Sequence, residues 1–208
     1  MSSSEIIEHV VLFKLKHNTD PSDSTSMITK LNALISLDEV LHLTAGPLLR
    51  VRSTSHNFTH ILHSRYTSKS DLVAYAVHPR HQSAVKENAN LVDDIMAVDW
   101  ISNDLPGPVS LPPGSAMRVS LLKLKEDLGE EAKSEILERI RGIREESEGL
   151  SQYSFGENFS PERAKGFSMA FLEVFSSQKE MEAVDLKHED KFKDYLDSFV
   201  ELSYEVSS

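Results

Sequence analysis

From His9 to Lys16, HVVLFKLK, the residues alternate so that His9, Val11, Phe13 and Leu15 share one face. A period of two predicts a strand with one face covered. Beyond it the period lengthens. Met27, Ile28, Leu31, Leu34 and Ile35 recur at helical spacing between Ser22 and Leu37, with Ser22, Ser24 or Thr25 as the expected N-cap. Val40 to Leu49 predicts a strand that Gly46-Pro47 interrupts, which suits an edge or a bulge. Phe58 to Tyr66 alternates again, placing Phe58, His60, Leu62 and Tyr66 on one face and His63 on the other, toward helix or solvent. Lys69 to Val77 predicts a short helix. Pro79 forces a fresh start over Arg80 to Asn88, and Ile95 to Ser102 reads as a closing strand. His17, His42 and His56 fall at strand ends or in loops and receive no role.

The pattern then repeats. HVVLFKLK at His9 is echoed by RVSLLKLK at Arg118, an offset of 118 − 9 = 109. FTHILHSRYTSKSDL at Phe58 is echoed by FSMAFLEVFSSQKEM at Phe167, and 167 − 58 is again 109. Two segments at one offset mark a tandem duplication. NDLPGPVSLPPGS, rich in Pro and Gly, reads as the joint, giving a first unit over 1–104, a linker over 105–114 and a second unit over 115–208. The second unit's first helix, Glu131 to Glu146, carries Ile136, Leu137, Ile140 and Ile143 on one stripe. The order β-α-β-β-α-β in each half predicts an α+β fold of two ferredoxin-like units. Each antiparallel sheet has helices on one face only, so the two four-stranded sheets are expected to cover each other as an intramolecular barrel. A monomeric pseudo-dimer is physically sufficient, and a homodimer through sheet edges is the other arrangement.

Charge and composition narrow the function. The 208 residues carry a formal net charge of −11, which disfavours nucleic acid and anionic membrane surfaces as partners. There is no cysteine, so disulfides, thiolate metal sites and thiol nucleophiles are excluded. The first residues lack a basic region with a small-residue cleavage site, no apolar run is long enough to span a membrane, and YEVSS is not the usual peroxisomal tripeptide. The reading is a cytoplasmic chain. His78 and His81 stand three apart, but Pro79 breaks their helix and no carboxylate sits at ligand spacing, so no metal is expected. Gly-rich phosphate loops, G-x-S-x-G and H-E-x-x-H are absent, and no cofactor is expected. An inward histidine taken singly is most often a satisfied structural residue. Trp100, on a strand beside Asp99, reads as a packing residue.

HVVLFKLK, FTHILHSRY and AYAVHPRH resemble the signature segments of the stress-responsive dimeric α/β barrel (A/B barrel, Dabb) family, in both halves of the chain. The first half matches closely, the second in pattern but poorly in its polar residues. That resemblance implies a role in stress or plant defence, with many relatives having no assigned reaction. A plant branch, olivetolic acid cyclase, implies more. Its pocket residues fall here on His9, His60, Tyr75 and His81, the candidate catalytic set. Its chemistry is an intramolecular aldol condensation of a linear poly-β-ketide, needing a base for an acidic proton and a donor for the enolate. Histidine suits the base and a tyrosine hydroxyl the donor. The second unit departs: Arg118, Met169, Val184 and Asp190 stand at the four places. Two function classes follow, a stress-response barrel that binds a small apolar or polyketide-like ligand without catalysis, and a cyclase-like enzyme.

Overall fold

The structure is a computed structural model that describes residues 5–53, 56–103, 105–184 and 188–207. The first unit runs through β1 (Ile6–Leu15), α1 (Pro21–Asn32), β2 (His42–Pro47), β3 (Arg50–Ser53), β4 (His60–Tyr66), α2 (Lys69–Val77), α3 (Pro79–Asn88) and β5 (Val92–Ser102). The second runs through β6 (Ala116–Leu124), α4 (Glu130–Glu146), β7 (Leu150–Glu157), β8 (Met169–Phe175), α5 (Gln178–Ala183), α6 (His188–Phe192) and β9 (Leu196–Glu205). Both units are ferredoxin-like and the architecture is α+β.

Local chemistry sets the element ends. The N-cap of α1 is Asp20, one of whose carboxylate oxygens accepts from the Ser22 N–H at 2.8 Å, with Pro21 in the first helical position. The serines expected to cap lie inside the helix, because Pro21 has no N–H to lose and starts the helix earlier. In α4, Ile136, Ile140 and Ile143 are fully buried against the second sheet. Burying such a side chain stabilises by about 1.5–3 kcal/mol.

The sheets are antiparallel, in the orders β2-β4-β1-β5 and β3-β9-β6-β8-β7. The expectation of two four-stranded sheets needs correction. The segment Val40 to Leu49 breaks at Pro47, and the chain then continues as β3, which leaves its own unit and pairs with β9 of the other through Arg50↔Ser203 and Val51↔Leu202. On the opposite side β7 approaches β5, and the Phe159 N–H donates to the Asp99 carbonyl at 2.9 Å. A Cβ on Gly156 would stand 3.0 Å from the Ile101 carbonyl oxygen, so a side chain there would push this seam apart. The two seams close the sheets into one barrel.

Strand alternation then sorts the core into layers. Val10, Leu12, Ile61, Val98 and Trp100 of the first unit meet Met117, Val119, Leu172 and Leu202 of the second inside the barrel. Ile7, Val11, Phe13, Leu62 and Tyr66 turn outward to the first unit's helices. Phe58, expected on the face of His60, belongs to the barrel interior instead, because it precedes β4 and escapes its alternation.

A polar cluster is enclosed at one end of the barrel. Glu8, His63 and Arg65 are fully buried. His63 Nε2 lies 2.6 Å from Glu8 Oε2, and the Arg65 guanidinium pairs with Glu8 Oε1 at 3.1 Å. His63 therefore points into the barrel and not at helix or solvent. Its neighbour His42, with ring centroids 5.4 Å apart, is buried as well. Arg65 Nη1 donates to the Val109 carbonyl at 2.7 Å and to Gln152 Oε1 at 2.9 Å, while Gln152 Nε2 donates to the Pro108 carbonyl at 2.6 Å. With Leu111 buried in the barrel core, the inter-unit segment is packed structure across the barrel end.

Candidate functional site

His9 lies on the helix-facing side of β1, and the register of β1 with β5 sets Asp99 directly opposite it. His9 Nδ1 is hydrogen-bonded to Asp99 Oδ1. Burial works against ionisation of Asp99, yet the hydrogen bond and charge of His9 hold its carboxyl below the usual range. An ionised carboxylate only accepts, so His9 Nδ1 is the donor of this pair and its Nε2 stays outside it.

The HPRH segment brings the other two groups in. His78 ends α2, its N–H donating to the Tyr75 carbonyl at 3.1 Å, and begins α3, its Nδ1 accepting from the Arg80 N–H at 3.1 Å. Pro79 cannot continue α2 but fits the first position of α3. The resulting bend folds His81 back over Tyr75, with ring centroids 4.5 Å apart. His81 Nδ1 donates to the Ala76 carbonyl at 3.0 Å, which exposes its Nε2 as an acceptor. Burial pulls His81 below its ordinary pKa and so favours the neutral ring. Burial likewise pushes the Tyr75 hydroxyl up, keeping it a protonated donor. The Tyr75 and His9 rings are 6.3 Å apart, and Tyr66 stands 6.2 Å from His9.

His9, Tyr75 and His81 line one cavity of about 500 Å³ between the first sheet and α1, α2 and α3. Its apolar wall is Val11, Phe13, Met27, Leu31, Leu62 and Ala84. A concave apolar space with a few converging polar groups is the usual form of a small-molecule site. Among the described residues, no three or more His, Asp or Glu side chains gather to hold a metal ion.

Of the four candidate residues, His9, Tyr75 and His81 line the cavity and His60 does not. His60 shares their sheet face but sits opposite Phe13 at the far end of β4. Its ring is engaged by Ser24 Oγ of α1 at 3.1 Å and by Thr59 Oγ1 at 2.9 Å. Asp99 was missed in the sequence as a partner. Its signal was a carboxylate on the same face of a closing strand as His9 on the first, readable only once the pairing of β1 with β5 is known.

Among the described residues, the second unit holds no copy of the site. Arg118 takes the place of His9, and its Nη2 donates to the carbonyls of Met181 at 2.8 Å and Val184 at 2.7 Å. Behind it Glu173, fully buried, is met by His188 Nε2 at 3.0 Å and Ser147 Oγ at 3.1 Å. Asp190, at the place of His81, is exposed on α6.

Comparison with known proteins agrees with this architecture. The Stress responsive A/B Barrel Domain matches twice, over residues 7–102 and 117–206. One stress-response A/B barrel domain-containing protein of Arabidopsis thaliana is 52% identical, over 99% of this chain and 80% of that protein. A second from the same plant is 47% identical, over 99% of each chain. Among solved structures, an anthrone oxidase-like protein superposes with a TM-score of 0.68 at 10% identity, covering 100% of this chain and 93% of that one. A Fusobacterium nucleatum protein described as a putative monooxygenase superposes at 0.65 with 12% identity, covering 100% and 94%. At such identities only the fold is shared. The chain is a tandem member of the stress-responsive A/B barrel domain family.

Proposed function

We propose that this stress-response barrel works by holding a small, largely apolar molecule in the first unit's cavity, within a single chain that builds the whole barrel. The observation that carries this is the convergence of His9, Tyr75 and His81 at one end of a roughly 500 Å³ apolar space. Core packing normally leaves few voids larger than a water. Calorimetric titration of the intact chain with 1-octanol tests it. Ala84→Phe, which projects a ring into the cavity from α3, is expected to abolish the binding heat with the melting temperature held within a few degrees. Val85→Trp, at an exposed lining position, is expected to weaken binding without touching the core. Undiminished binding in both variants would rule the cavity out.

A second reading, polyketide-cyclase-like aldol condensation, is favoured by the His9–Asp99 pair. An imidazole oriented by a carboxylate has a free Nε2 to take a proton alpha to a carbonyl, and Tyr75 can donate to the enolate oxygen. Asp99→Asn is expected to slow cyclisation of a linear tetraketide thioester by roughly 10²-fold or more. A wild-type chain that leaves the thioester to its uncatalysed fate would remove this reading and leave the binding reading standing.

A further inference from the structure

The first unit does not build its cavity alone. The loop between β7 and β8, residues 158–168, crosses from the second unit and is fixed to the exposed edge of β5. Asn158 Oδ1 accepts from the Asp99 N–H at 3.0 Å, and the Phe159 N–H donates to the Asp99 carbonyl at 2.9 Å. The Ser160 N–H donates to the same Asn158 Oδ1 at 3.0 Å, which keeps the loop beside Asp99, the carboxylate that orients His9. Further along, Lys165 adopts φ 51, a left-handed conformation unusual for a residue with a side chain, and its Nζ lies 2.7 Å from Asp94 Oδ1. Between these anchors Arg163 is set at the rim of the cavity that His9, Tyr75 and His81 line.

The other charges at this rim are already matched. Asp93 pairs with Lys14 at 2.9 Å and Asp94 with Lys165 at 2.7 Å. Asp99 is engaged by His9. Arg163 is exposed, and among the described residues no hydrogen bond or ion pair holds its guanidinium. A chain of net charge −11 repels anions in general, so a cation held by no ion pair over an apolar cavity, with Asp99 feeling its charge only at longer range, is a local exception. Guanidinium presents two parallel donors that match a carboxylate.

We propose that the cavity selects an apolar molecule bearing one carboxylate, and that Arg163, supplied by the second unit, is the residue that selects it. This rests on the reading that the cavity holds a small apolar molecule. It gives the second unit a part in the first unit's site even though its own site is lost.

The test is calorimetry at pH 7 on the intact chain with two probes of equal length, octanoate and 1-octanol. Wild type is expected to bind octanoate about tenfold more tightly than octanol, a charge-assisted contact at a wet rim. Arg163→Gln is expected to erase that preference while the octanol affinity stays as in wild type, and Arg163→Lys to keep part of it. The unchanged octanol affinity separates selection from a structural defect. A wild type without preference, or an Arg163→Gln chain that retains it, overturns the role of Arg163 and leaves the cavity reading intact. Failure of both probes to bind wild type removes both.

Discussion

Replacing Glu8 by Ala is expected to lower the unfolding free energy by about 3–5 kcal/mol in urea titration, because it leaves Arg65 and His63 enclosed without their anion. Both are fully buried, and Glu8 is the carboxylate that each contacts. The second unit shows the apolar solution at the same places. With the offset of 109, Glu8 corresponds to Met117, His63 to Leu172 and Arg65 to Val174, and the pair Glu8↔Arg65 maps onto Met117↔Val174. The triple variant Glu8→Met, His63→Leu, Arg65→Val is therefore expected to recover most of what Glu8→Ala loses, since replacing a whole buried ion cluster by packed apolar groups is often neutral or better. What it does not recover is the hold on the inter-unit segment through the Val109 carbonyl and Gln152. Proteolysis between the units is expected to be faster in the triple variant than in wild type. A Glu8→Ala chain as stable as wild type would show that water reaches this cluster.

Acid is expected to destabilise the barrel well before its carboxylates are protonated. Burial, with the nearby charges of His63 and Arg65, drops His42 from its ordinary 6.5 to about 3. Its Nδ1 accepts from the Leu111 N–H at 3.4 Å, so the added proton would be set against a donor, and its buried Nε2 has no hydrogen-bond partner among the described residues. The unfolded chain takes up the proton first. Stability from this group is complete above pH 6.5 and is lost as the pH falls from there toward 3. Between pH 6.5 and 4.5 the loss from His42 amounts to about 2 kcal/mol. Burial depresses His60, His63 and His81 in the same direction. Glu8 adds a later loss. Burial opposes its ionisation, but Arg65 and His63 outweigh that and hold it at about 2 against an ordinary 4.5, so its contribution disappears as the pH falls from 4.5 toward 2. Urea titrations at pH 7, 5.5 and 4.5 measure the slope. His42→Gln is expected to flatten it, and an unaltered slope in that variant would assign the effect to the other histidines.

The helix layer is legible because helices advertise their buried stripe. Spacing alone names Met27, Ile28, Leu31, Leu34 and Ile35 in the first unit and Ile136, Leu137, Ile140 and Ile143 of α4. Met27, Leu31, Leu34, Ile136, Ile140 and Ile143 are buried, Ile28 and Leu137 are half-buried, and Ile35 is exposed because α1 ends at Asn32 before reaching it. The repeat offset of 109 holds through β8 and then fails. Opposite His9 stands Asp99, but opposite Arg118 stands Ser203, and 203 − 99 is 104. Aligning the halves by the earlier offset therefore mismatches the last strand, the one that carries Asp99.

Residue pattern alone determined that there are two ferredoxin-like units, through local periodicity and the repeat offset. The set His9, His60, Tyr75 and His81 came from the family resemblance, and only the tertiary structure shows that three of the four share a cavity, with Pro79 setting the bend before His81. Alternation gives a strand two faces but does not say which one a barrel will enclose, so the interior places of His63 and Arg65 were settled only by closure of the sheets. The exchange of β3 onto β9, the pairing of Asp99 with His9 and the reach of Arg163 into the other unit's cavity all join residues far apart in the chain, 90 positions in the case of His9 and Asp99. Contacts at that separation depend on strand register and loop path, which the tertiary structure decides and no local pattern encodes.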